Sequence, residues 1–216
     1  MVMSRIIGPR VAPGELSRHG LRYGAPGFLF LLARVLILVS LFLPYWHMAL
    51  VAPQYPDNLH LTAHVNALSG DVAEIDGLNH YIGMRSLHEA AQIERRVGVY
   101  VLILFVVLLE IAAWIHNRWA ALLALPAVTF PGVFLLDLHL WMSHFGQNLD
   151  PHAPLSSSID PFVPPILGTG VVGQFKTVAT PGIGLMLSAA ASLVIIVALF
   201  FHRRAYRPLV IAARSD

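Results

Sequence analysis

Apolar positions gather in four long runs along this chain. Each run has the length a helix needs to cross a hydrocarbon core about 30 Å thick, roughly 20 residues. The runs are Gly27–Val51, Val97–Ile115, Trp119–Met142 and Gly182–Phe201. Only His116, Asn117 and Arg118 separate the second from the third, which predicts a tight antiparallel hairpin. The first run reads as an uncleaved span rather than a signal peptide, because the segment ahead of it is long and no small-x-small site follows.

Composition agrees. Hydrophobic residues make up 56% of the chain and charged residues 12%, where a globular domain carries about 25% charge. Too few charges remain to coat a water-facing surface. The sequence therefore predicts an α-helical membrane protein, a four-helix transmembrane bundle in contact with the lipid bilayer, and nothing in it points to nucleic acid. The absence of cysteine excludes disulfides, thiolate metal sites, iron–sulfur clusters and cysteine nucleophiles. Hydrolase motifs and phosphate-binding glycine loops are also missing, so hydrolytic catalysis is not expected.

Lysine and arginine set the orientation. Arg5, Arg10, Arg18, Arg22, Arg118, Arg203, Arg204, Arg207 and Arg214 fall on one side, and Arg85, Arg95, Arg96 and Lys176 on the other. Both termini are then cytoplasmic and the protein is a multi-pass component of a bacterial inner membrane. Arg34, inside span one, snorkels toward the cytoplasmic face. The chain divides into a cytoplasmic segment (1–26), span one (27–51), a periplasmic cap (52–96) and span two (97–115). Span three (119–142), a periplasmic Pro/Gly-rich loop (143–181), span four (182–201) and a cytoplasmic tail (202–216) follow.

Within the cap, apolar and polar residues alternate from Leu59 to Asn66. Period two places Leu59, Leu61, Ala63 and Val65 on one strand face, and His60, Thr62, His64 and Asn66 on the other. Ser69-Gly70-Asp71 predicts a turn and Val72–Ile75 a return strand, giving a small β-hairpin. Asp76-Gly77 breaks that ladder, and Ser86–Arg96 favours helix. The loop 143–181, with Asp150-Pro151-His152-Ala153-Pro154 and Pro161 through Gly173, has neither helical nor strand periodicity. Loops of that length are more often functional than idle.

Eight of the eleven histidines fall at or beyond the outer face: His47, His60, His64, His80, His88, His139, His144 and His152. Met48, Met84 and Met142 share that side. His47-Met48 and His80 with Met84 place imidazole beside thioether. Imidazole suits copper and zinc, and thioether suits Cu(I). These residues predict a copper site drawn from His80, Met84, His47, Met48, His139, His144 and His152, with Asp137, Asn79 and Tyr81 orienting the ligands. A carboxylate fixing a histidine tautomer is a common support for such sites. His60 and His64 point the same way but lie about 13 Å apart on an extended strand, too far to share one ion. Glu110 and Asp137 are costly in lipid and should face the bundle interior, Glu110 as a hydrogen bond tying helices together.

Three stretches carry a resemblance: Ala52-Pro53-Gln54-Tyr55-Pro56-Asp57-Asn58-Leu59, Ile75-Asp76-Gly77-Leu78-Asn79-His80-Tyr81-Ile82-Gly83-Met84, and Gly146 through Pro154 with Pro164-Pro165-Ile166-Leu167-Gly168. They are similar to motifs in small bacterial multispan membrane proteins encoded beside nitrous-oxide reductase maturation genes. The resemblance implies an accessory role in periplasmic copper supply, with a cuproenzyme or copper chaperone as partner. It places His80 and Met84 in a shared Leu-Asn-His-Tyr-Ile-Gly-Met run and His152 beside an Asn-Leu-Asp-Pro run.

Two other readings compete. In one, the Asn-His-Tyr and Asp-Pro-His-Ala-Pro segments form a rigid polar surface and the protein is a structural subunit or assembly factor. In the other, His47 faces His139 or His144 across two spans and binds haem b for electron transfer.

Overall fold

The computed structural model describes residues 8, 11, 13–172 and 175–215; Arg5, Arg10 and Gly173 lie outside them. Helix α1 covers Pro13–Arg18 and α2 covers Gly20–Ser40. Strands β1 (Trp46–Ala52), β2 (Tyr55–Ala63) and β3 (Leu68–Gly70) follow, and then α3 (Val72–Ile82). Helices α4 (Gln92–Trp114) and α5 (Trp119–Gln147) precede β4 (Gly168–Val172), β5 (Phe175–Pro181) and α6 (Ile183–Ser215). Four helices, α2, α4, α5 and α6, are long and apolar enough to cross a membrane. The fold is thus a helical membrane bundle, joined in the same chain by a five-stranded antiparallel sheet of order β3-β2-β1-β5-β4.

That sheet is larger than the predicted hairpin, and three expectations change. The first apolar run is not one helix to Val51. Helix α2 stops at Ser40, and Pro44 explains why: its ring would meet the carbonyl of Ser40 four residues back, and it has no N–H to continue the ladder. Trp46–Ala52 instead becomes the central strand, and a continuous apolar run does not by itself distinguish a buried strand from a helix. Val72–Ile75 is not a return strand but the first turn of α3. Its buried residues Val72, Ile75, Asn79 and Ile82 keep helical spacing straight through Asp76-Gly77. The loop after α5 is not structureless, since β4 and β5 join the sheet, and β5 pairs with β1 from Trp46↔Pro181 to Val51↔Lys176.

The described residues form two compact units. One comprises Met1–Val39, Tyr100–Pro131 and Leu187–Asp216, and the other Ser40–Val99 and Gly132–Met186. In the first, Arg34 forms an ion pair with Glu110. Glu110 also accepts a hydrogen bond from the Trp114 indole at 2.8 Å, and the Arg34 Nε donates to the Phe30 carbonyl. Arg34 is thus held by a neighbouring helix. Nearby, the His116 and Tyr206 rings stack at 3.7 Å with 4° between planes, and His202 lies 5.5 Å from His116, buried, with Nε2 unpartnered.

The second unit holds the sheet. Its core combines Trp46, Met48, Leu50, Leu59, Leu61 and Ala63 with Val72, Ile75, Leu87, Met142 and Ala179. The expected alternation on β2 holds, with Leu59, Leu61 and Ala63 buried beside Val65. The indole of Trp46, almost fully buried, donates to the Ile166 carbonyl at 2.5 Å and pins the proline-rich strap over the core.

Candidate functional site

Strand alternation decides which of the predicted residues meet. On β1, Trp46, Met48 and Leu50 point into the core, while His47 and Ala49 lie on the other face. Met48 aligns with Leu61 and Ala179, and Leu50 with Leu59 and Thr177. The Thr177 side chain therefore enters the core side of the sheet. Its hydroxyl is buried there with no hydrogen-bond partner.

Helix α3 covers this face. It ends at Gly83, which takes φ 80° and ψ 12° and closes the helix through Gly83 N–H to the His80 carbonyl and Met84 N–H to the Asn79 carbonyl. The left-handed residue reverses the chain and carries Met84 back under the helix, where it is 8% exposed. The following segment is tied down by Asp76. Its carboxylate accepts the Ser86 hydroxyl at 2.5 Å and the Leu87 N–H at 2.7 Å.

These elements border a small, partly open pocket of about 60 Å³. Three methionines from three elements line it: Met48 of β1, Met84 after α3 and Met142 of α5. All are buried, at 7%, 8% and 7% exposure. Asn79 and Thr177 supply the polar lining, Phe162 and Pro164 of the strap line it as well, and no charged side chain does. The strap is held against α5 by Phe162 N–H to the Gly146 carbonyl at 2.9 Å. A preformed site for a typical organic ligand is roughly 300–1,000 Å³. This one suits an ion or a few atoms.

The imidazoles go elsewhere. The His47 ring shares a hydrogen bond with Thr62 Oγ1 at 3.1 Å on the opposite sheet face from Met48. His80 is exposed on α3, one residue from buried Asn79, with its ring 6.3 Å from that of exposed Tyr81. On α5, His139 pairs with Ser143 and His144 with Asn148, each four residues on, and both are exposed. Asp137 takes a hydrogen bond from Trp141 on its own helix. The predicted pairings of His47 with Met48 and of His80 with Met84 are therefore separated: in each, the thioether turns inward and the imidazole outward. The two facing spans needed for haem are not formed, because His47 lies on a strand. Among the described residues no group of three or more His, Cys, Asp or Glu is arranged to hold a metal.

One polar association does join predicted residues. Asp150 Oδ1 accepts the His152 N–H at 2.9 Å and lies 3.3 Å from its Nδ1. The His152 backbone N–H is the chief cause holding the Asp150 carboxyl below its ordinary value, with the His152 and His80 imidazoles also favouring the anion. Backbone bonds fix this segment to the end of α3: Asp150 N–H to the Gly83 carbonyl at 2.8 Å and Leu155 N–H to the Tyr81 carbonyl at 2.9 Å.

The sequence shows Met142 on the same side as Met48 and Met84, but Thr177 carries no sequence signal at all. Only the β1–β5 register brings it to the lining of the pocket. No known family model matches the chain, and no curated protein matches it.

Proposed function

We propose that this protein is an inner-membrane accessory protein that handles copper on the periplasmic side, in the supply or maturation of a cuproenzyme of the nitrous-oxide reductase type. The observation that carries the reading is that Met48, Met84 and Met142 all line one small pocket in a chain without cysteine. Thioether is the softest ligand left to such a chain, and it favours Cu(I) over harder ions. The arginine distribution supports cytoplasmic termini and a periplasmic sheet unit. The resemblance of the Leu-Asn-His-Tyr-Ile-Gly-Met run adds weight in the same direction. Copper here is cargo, met by the outward imidazoles His80 and His152 or by a chaperone.

The test is loss of the gene in a host that makes a periplasmic copper enzyme. Elemental analysis of that enzyme should show reduced copper, restored by excess copper in the medium. Unchanged copper content in limiting medium rejects the proposal.

A second reading is favoured by one observation. The backbone bonds from Gly83 and Tyr81 to Asp150 and Leu155 join the Asn-His-Tyr and Asp-Pro-His-Ala-Pro segments into one ordered polar surface, as a docking platform for a periplasmic partner would require. Co-purification of a partner with no copper above background selects this reading over the first.

A further inference from the structure

Charge divides unevenly between the two units. The first holds ten of the chain's fourteen lysines and arginines but only three of its twelve acids, Glu15, Glu110 and Asp216. Glu110 is already taken by Arg34. An excess of arginine at one end is what topology alone asks for. Topology depends on their number, however, and not on how they stand against one another.

Helix α6 gives two of them a definite setting. At 33 residues it is about 50 Å long, whereas roughly 20 residues, Ile183 to His202, suffice for the hydrocarbon core. Arg204 and Arg207 therefore come where the core gives way to headgroups. Phe200, Arg204, Arg207 and Ile211 follow at helical spacing along one stripe, and all four are exposed. The stripe lies opposite buried His202 and Ala205, so an apolar side chain flanks the arginine pair at each end.

Pro208 then opens the backbone. It has no N–H, so the Arg204 carbonyl four residues earlier lacks its usual helical donor. The Arg22 guanidinium, from the start of α2, donates to that carbonyl instead, with Nη2 at 3.4 Å from the oxygen. A third positive group is thereby held beside Arg204. Among the described residues none of Arg22, Arg204 and Arg207 has a carboxylate partner, and the Glu15 carboxylate accepts the Tyr23 hydroxyl at 3.4 Å. A guanidinium cannot shed its proton. Like charges gathered without a counter-charge repel, and more strongly at the edge of a low-dielectric layer. An anion seated on them relieves that repulsion.

We propose that Arg22, Arg204 and Arg207 bind the headgroup phosphate of an anionic phospholipid, with Phe200 against its acyl chain. Copper plays no part in this. Arginine suits the ligand because its planar fork meets two phosphate oxygens at once. The backbone contact holds Arg22, while Arg204 and Arg207 are exposed and turn to meet the phosphate. A lipid fits better than a soluble phosphate because exposed apolar side chains adjoin the arginines: Phe200 and Phe201 on the hydrocarbon side, and Leu21 next to Arg22.

The test measures lipid preference of the full chain in phosphatidylcholine vesicles, from the electron-spin-resonance spectra of spin-labelled phosphatidylglycerol and phosphatidylcholine. At low salt the wild type should prefer the anionic lipid at least about fivefold, the worth of roughly one arginine near an anionic surface. The preference should fade at about 1 M salt, where the screening length is about 3 Å. Arg22→Gln/Arg204→Gln/Arg207→Gln should abolish it, and Arg85→Gln/Arg96→Gln in the second unit should leave it intact. Pro208→Ala keeps every charge but returns an N–H to the Arg204 carbonyl, so Arg22 loses its acceptor. The preference should then fall at least about twofold, the worth of one hydrogen bond. Wild-type preference in the triple variant overturns the site. So does wild-type preference in Pro208→Ala, since diffuse positive charge is then enough. Should the triple variant not fold, Pro208→Ala decides alone, because alanine favours the helix. A preference that inorganic phosphate removes at constant ionic strength belongs to a free anion and overturns the lipid, as does a wild type with no preference.

Discussion

His47 and Met48, adjacent in the chain, occupy opposite faces of β1: the Met48 side chain lines the pocket on the core face and the His47 ring bonds Thr62 on the other side of the sheet. Their substitutions should separate accordingly. Met48→Ala should cost about 2–5 kcal/mol through lost packing, and His47→Ala about 1 kcal/mol through one hydrogen bond. Denaturant unfolding in detergent measures both, and an equal loss at the two positions would contradict this division.

Gly83 sits where a side chain has no room. A Cβ there would lie 2.6 Å from the Asp150 carbonyl oxygen and 2.8 Å from its nitrogen, at a backbone φ of +80°. Gly83→Ala should therefore both strain the helix end and push the Asp150 segment away, at about 1–3 kcal/mol. Faster amide exchange at Asp150 and Leu155 is the specific readout. Unaltered protection there would show that the close approach is not needed.

Arg34 and Glu110 form an ion pair between two apolar helices. Glu110→Ala leaves the guanidinium unpaired and should destabilise the protein by about 2 kcal/mol or more. Adding Arg34→Leu should recover much of that loss, since two apolar side chains suit the setting better than one stranded charge. A double variant no more stable than Glu110→Ala would show that the pair does not act as a unit.

Asp150 gives the acid side of the stability profile one identifiable contribution. Its carboxyl lies below the ordinary value because the His152 N–H stabilises the anion. A depressed folded value contributes stability that is complete above the unfolded value, near 3.9, and is lost as pH falls through the folded one. Asp150→Asn should flatten the unfolding midpoint below about pH 4 and change little at pH 7. Because Asp150 is fully exposed, the effect should also shrink with added salt.

His202 is buried with its Nε2 unpartnered. Its ring hydrogen-bonds the Ala113 backbone carbonyl, which leaves Nε2 as the unprotonated nitrogen. Replacing a buried, half-satisfied polar ring by an apolar one of similar shape removes an unmet desolvation cost of about 1–3 kcal/mol. His202→Phe should thus leave the melting temperature unchanged or raise it. A clear drop would show that the lost Ala113 bond outweighs that cost.

Four spans were legible because nothing but hydrophobic length is needed to see them, and α4 and α5 start or stop close to where the apolar runs do. The β2 alternation was legible because one face is buried and the other is not. The rest was hidden for physical reasons. Trp46–Ala52 is apolar on its core side and still half-buried at His47 and Ala49, so it merged with the preceding span, and only Pro44 marks the break. Val72–Ile82 contains Gly77, a poor helix residue by about 1 kcal/mol. Burial of Val72, Ile75, Asn79 and Ile82 outweighs that. Strand β5 is the hardest case. Its partner lies more than a hundred residues away, and no local pattern around Thr177 announces that it will stand opposite Leu50.

The position of β1 in the middle of the sheet matters before the protein is finished. Its neighbour β2 follows at once, but β5 is synthesised only after α4 and α5, more than 120 residues later. At about 5–20 residues per second, that is an interval of roughly 6–25 s. Throughout it, the nascent chain presents β1 as a bare strand edge carrying Met48 and Leu50, the kind of template on which chains join wrongly. A ribosomal pause anywhere between Ala52 and Phe175 prolongs that hazard, and a holdase on the emerging side would relieve it.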